Sequence, residues 1–154
     1  MVRIDPKIAA AEDALWHELW STVDGLTQER FVEPGYFAEH WSAKDALAHI
    51  GTWLAEAGAA LEQIHGGTYV PLTAAEVDEM NERFLEAMRD APPTVVKSQA
   101  TAARSRMLHA WADARQDDEH VHGWIRKTGP DHYGEHLPRL QEWLAELDAR
   151  HSVG

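Results

Sequence analysis

Apolar residues recur at steps of three and four along most of the chain, and the breaks between those runs divide it into helices. Asp5 can cap a first helix, and Pro6 behind it has the φ that a first helical turn wants and gives up no needed donor. Ile8, Leu15, Trp16, Leu19, Val23 and Leu26 form its stripe, and Gly25 with Thr27 marks its end. Arg30 to Trp41 contains Pro34 and Gly35 and reads as a connector. A second helix opens at Ser42 with Asp45 three residues on, a capping-box pattern. Its stripe of Ala43, Leu47, Ile50, Leu54, Ala57, Leu61 and Ile64 is the narrow seam of a bundle helix, and His65-Gly66-Gly67 closes it.

Leu72-Thr73 opens a third helical stretch with Val77, Met80, Phe84, Leu85 and Met88. Pro92-Pro93 interrupts it before Val95, Val96, Ala103, Met107, Leu108 and Trp111, so the stretch is one broken helix or two abutting ones. Gln116 to His122 is polar and reads as loop. The last helix follows Gly129-Pro130 with Tyr133, Leu137, Leu140, Leu144 and Leu147 on one face. Only Thr68-Tyr69-Val70 has any strand character. The expectation is an all-α, single-domain four-helix bundle over residues 1–154.

Composition narrows the chemistry. A chain of 154 residues, 44% apolar and with seven tryptophans, can bury a sizeable core. Its net charge of -12 opposes nucleic-acid binding, and the short Arg104-Ser105-Arg106 cluster reads as a solvated helix face. No segment is apolar enough to span a membrane, and the first six residues lack the pattern of a signal peptide, so the cytoplasm is the expected compartment. With no cysteine, any metal must be held by His, Asp or Glu, and any thiol must arrive as a cosubstrate.

Ten histidines make chance pairings common. His132 and His136 are one helical turn apart beside the last stripe, and His49 lies on the flank of the second helix shared by Ala46 and Trp53. Three imidazoles from two facing helices can hold one divalent cation and leave a position for water; the plain alternative is three partly buried rings satisfied by backbone or solvent. Pro138 within the last helix implies a kink against the carbonyl of Gly134, or a helix that starts only near Glu135. Trp53, Asn81, Arg83 and Tyr133 are candidate substrate-binding residues, although core packing suits Trp53 and Tyr133 and a surface ion pair suits Arg83. The run from Asp117 to His122 is a rival cluster of ligand types, better read as a solvated turn.

Two segments resemble a known superfamily. Trp41-Ser42-Ala43-Lys44-Asp45-Ala46-Leu47-Ala48-His49, continued by Ile50-Gly51-Thr52-Trp53, is similar to the second-helix signature of DinB/YfiT-like bundles. His132-Tyr133-Gly134-Glu135-His136-Leu137-Pro138 is similar to their last-helix signature. The resemblance implies up-down-down-up topology, frequent homodimers, and a divalent cation, zinc or nickel, on His49, His132 and His136. It further implies a low-molecular-weight-thiol S-transferase or isomerase of mycothiol or bacillithiol type acting on a small electrophile. The mycothiol-dependent maleylpyruvate isomerases of this group can carry Glu at the place of His132, and they have a second domain, which puts maleylpyruvate in doubt as a substrate. Lys44 also matches the ClbS/DfsB-type bundles, an alternative that implies hydrolysis or self-resistance against a reactive metabolite. A non-catalytic, stress-related binder of a ligand or metal is the third reading.

Overall fold

The computed structural model describes residues 4–37 and 40–152. Four long helices carry the architecture: α1 (Pro6–Asp24), α3 (Ala43–Gly66), α5 (Pro93–Asp113) and α7 (Pro130–His151). Three shorter ones join them: α2 (Gln28–Val32), α4 (Ala74–Met88) and α6 (Glu119–Thr128). No β-strand forms among the described residues; Thr68-Tyr69-Val70 is irregular linker.

The helix starts follow from their caps. Asp5 accepts from the Lys7 amide at 2.8 Å, and Ser42 and Asp45 exchange both bonds of the capping box. Gly67 ends α3 in the left-handed region at φ 78, where a side chain would be strained. Pro92-Pro93 separates two helices, with Pro93 in the first turn of α5. α7 runs unbroken through Pro138, so the alternative start near Glu135 does not occur and His132 belongs to the helix.

Two expectations need correction. The connector from Arg30 to Trp41 is not wholly irregular, because Thr27, read from sequence as an end marker, caps the five-residue α2, which buries Phe31. The expected loop from Gln116 to His122 is helical from Glu119 onward. Asp118 caps α6, and Val121 and Ile125, one turn apart, are fully buried under an otherwise polar surface. A two-residue apolar stripe was too sparse to outweigh that polarity in the sequence.

α3 is the central rod. It packs chiefly on α5 and also meets α2, α4, α6 and α7, while α1 pairs with α7. Close approach of α3 and α5 depends on Gly51, where an added Cβ would stand 3.1 Å from the Ala100 Cα. Trp111, Trp143, Tyr133 and Phe31 are the largest fully buried side chains. Between the rods lies one buried ionic group: Glu12 of α1, 1% exposed, receives two bonds from Arg104 of α5, at 2.8 and 2.6 Å, and one from the Tyr133 hydroxyl of α7 at 2.9 Å. Arg104 is therefore no solvated face residue, whereas Arg106 pairs with half-exposed Glu62 on the surface.

Candidate metal centre

Two helices bring three imidazoles together. His49 projects from the second turn of α3, and His132 and His136 from successive turns at the start of α7. One ring nitrogen from each lies within 4.8 Å of the others. The His132 and His136 Nε2 atoms face each other at 3.2 Å, and the ring centroids of His49 stand 4.9 and 5.5 Å from those two rings. Tetrahedral ligands at roughly 2.0–2.1 Å from a cation stand about 3.3 Å apart, so the α7 pair already has the bite of a shared metal.

The electrostatics agree with that geometry. Burial, with repulsion from His136, pushes the His49 ring down to about 4; burial, with repulsion from His136 and His49, pushes His132 down to about 3. Burial also lowers His136. All three rings are neutral at pH 7, with lone pairs available. Between the facing Nε2 atoms one proton is required for a hydrogen bond, and a cation held by both rings would replace it. The donor set fits zinc or nickel, both of which accept imidazole.

The rings are oriented from outside the triad. The Tyr36 hydroxyl lies 2.8 Å from His136 Nδ1, so an Nδ1–H donated to Tyr36 would leave Nε2 free as a ligand. Tyr36 is 2% exposed, and burial pushes its hydroxyl up to about 12, opposed by the neighbouring Arg139. Arg139 of α7 donates to the Tyr36 carbonyl at 2.6 Å and the Gly35 carbonyl at 3.2 Å, tying this strap to α7. Gly35 has φ 122, and a Cβ there would strike Trp143 at 2.7 Å. Trp41 sets its ring edge-to-face with His49, centroids 5.6 Å apart.

His49 and His132 open onto a cavity of about 770 Å³, within the size range of small-molecule sites. Trp53, Tyr69, Asn81 and Trp124 wall it.

The model of the mycothiol maleylpyruvate isomerase N-terminal domain family matches residues 13–150. The chain belongs to that family. A crystal structure of an uncharacterised protein from Escherichia coli UTI89 has the same fold, with a TM-score of 0.78, 14% identity and 92% of each chain covered. No curated protein matches the chain.

Against this DinB-like fold the sequence-derived candidates divide. His49, His132 and His136 are brought together. Trp53 and Asn81 both line the cavity, joined by the indole N–H donating to Asn81 Oδ1 at 2.7 Å. Arg83 is exposed and outside the cavity lining. Tyr133 is turned away, buried against Trp16 with its hydroxyl on Glu12, because neighbouring helical positions point about 100° apart and, of residues 132 and 133, it is His132 that meets His49 of α3. The rival acidic run does not gather ligands: Asp118 is a helix cap, and His122 is held by the Gln116 carbonyl. Lys44 lies buried, donating to the Arg89 and Ala91 carbonyls at 3.0 and 2.7 Å, where it fastens the α4–α5 corner to α3.

Tyr36, Arg139, Tyr69 and Trp124 were missed by the pattern of the sequence. Tyr36 sits in a segment without periodicity, and Trp124 in a helix read partly as loop. Aromatic residues in an irregular, Gly- and Pro-bearing strap were the available signal.

Proposed function

We propose that this protein is a divalent-metal-dependent enzyme that transfers or isomerises through a low-molecular-weight thiol of mycothiol type, with a small electrophile as the second reactant. The observation that carries the reading is the convergence of three neutral imidazoles at the wall of a ligand-sized cavity in a chain of a mycothiol-associated family. His49, His132 and His136 would hold the cation. A cation bound there lowers the pKa of a thiol that ligates it, so that the thiolate is available near neutral pH. Tyr36 fixes the His136 ring through Nδ1, and Trp41 fixes His49. Trp53 and Trp124 wall the cavity beside the histidines, where the electrophile would lie against them. The chain has no cysteine to compete for the metal or the electrophile.

Lys44, the lysine that matches the ClbS/DfsB-type motif, is outside the cavity lining with its ammonium on two backbone carbonyls, so it lends that alternative no reactive group there. Metal analysis of purified protein and calorimetric titration with mycothiol, before and after chelation, test the proposal. One equivalent of metal and thiol affinity only in the loaded form are expected. Equal thiol affinity after chelation, or none in the loaded protein, would overturn it.

A further inference from the structure

The cavity beside the three histidines carries information about its ligand that the histidines do not. Its aromatic wall is assembled from three elements: Trp53 of α3, Trp124 of α6 and Tyr69 of the linker before α4. Both indole N–H groups are already engaged, Trp53 with Asn81 Oδ1 at 2.7 Å and Trp124 with the Tyr69 hydroxyl at 2.8 Å. The rings stand 6.4 Å apart with 32° between their planes, and what they offer a ligand is faces and edges, not donors. Such a wall selects a flat apolar body.

The rim has a different character. Arg126 and Lys127, in the last turn of α6, line the cavity and are exposed, and neither forms an ion pair among the described residues. Glu119 is the one acidic residue in the lining. Two cations against one acid make the cavity net positive in a chain whose formal charge is -12. Among the described residues, Arg30, Arg89, Arg104, Arg106, Arg115, Arg139 and Arg150 all pair with carboxylates, and Arg83, the other arginine without an ion pair, is outside the cavity lining. Unpaired cations at the mouth of a cavity in so acidic a molecule attract anions and turn cationic ligands away.

We propose that the cavity binds an organic anion with a ring-sized aromatic body, the body against Trp53 and Trp124 and its carboxylate at Arg126 and Lys127. This deepens the proposed function by assigning a chemical class to the electrophile, and it rests on the cavity being the reactant pocket. His49 and His132 line the same cavity, so a ligand so placed would share it with these imidazoles.

A charge-paired probe set tests the assignment: 2-naphthoate and its neutral isostere 2-naphthamide, titrated into chelator-treated protein. Removing metal ensures that no cation at the histidines serves as the carboxylate's partner. Binding is read from the indole N–H resonances of Trp53 and Trp124, assigned with Trp53→Phe and Trp124→Phe. Naphthoate is expected to bind about fivefold more tightly than naphthamide, as two partly solvated charges allow. In Arg126→Gln/Lys127→Gln the preference should collapse to near one, with naphthamide affinity unchanged and circular dichroism that of the parent. Equal affinities, a preference that survives the double substitution, or failure of both probes to move these two resonances would each overturn the assignment. Failure of thiol binding in the metal-loaded protein would leave this result untouched and sink only the thiol reading.

Discussion

Tyr36 shows how much a single residue outside the triad decides. Its hydroxyl is the only side-chain partner of His136 Nδ1 among the described residues, and it is held in place by Arg139 through its own carbonyl. Tyr36→Phe is expected to weaken zinc affinity about tenfold, the usual scale for loss of such a partner, with helicity unchanged; competition with a chromophoric chelator measures it. The histidines themselves make stability depend on pH. In the unfolded chain an imidazole titrates near ~6.5, whereas the folded metal-free protein holds His49 at about 4 and His132 at about 3. Below pH ~6.5 the unfolded chain takes up protons that the folded chain refuses, so stability is full above that pH and falls through the window down to the folded values. The urea midpoint of metal-free protein should therefore drop steadily from pH 7 to pH 4, and His49→Ala/His132→Ala should flatten that slope. An unchanged slope would refute the assignment of neutral buried rings.

Between elements, Lys44 and Gly129 set the angles at which helices meet. Lys44 reaches from the first turn of α3 to the carbonyls where α4 gives way to α5. Lys44→Met keeps the aliphatic stem but leaves two carbonyls without this donor, and a loss of about 1–3 kcal/mol is expected in chemical denaturation. The same lysine stood out in the sequence as part of a functional-looking motif. Its real partners are backbone atoms 45 and 47 residues away, which no local pattern encodes. Gly129 divides α6 from α7, and a Cβ there would sit 2.7 Å from the Ile125 carbonyl oxygen. Glycine thus permits the tight passage that starts α7 at Pro130 and turns His132 towards α3. The break itself was legible from Gly129-Pro130; the helix ahead of it was not, since only Val121 and Ile125 declare its buried face.

Across the whole molecule, three rods are tied by the Glu12–Arg104–Tyr133 group. Removing Arg104 leaves the buried Glu12 carboxylate uncompensated, so Arg104→Met is expected to cost about 3–5 kcal/mol, and Glu12→Gln less, because Arg104 keeps Asp13 at 3.2 Å. The pair Arg104→Met/Glu12→Leu should recover much of that loss, because well-packed apolar replacements abolish the desolvation cost together with the attraction. Thermal unfolding of the singles and the double checks this, and additive losses would contradict a coupled pair. Tyr133 joins this group on the side of α7 away from the cavity, so one helix serves stability with one face and the candidate metal centre with the next.

The sequence by itself determined the all-helical class, the four long rods, the capping box at Ser42 and the spacing of His132 and His136. Each is a local property: periodicity, cap chemistry and the rise of a helix act within a few residues. Only the tertiary structure decided that His49 meets the α7 pair, that Tyr36 and Arg139 orient it, that Arg104 is buried and Arg83 is not, and that aromatic residues from three elements enclose one cavity. Those outcomes depend on how rods pack against one another, through contacts between residues as much as 123 positions apart, and side-chain periodicity along one helix carries no record of its neighbours.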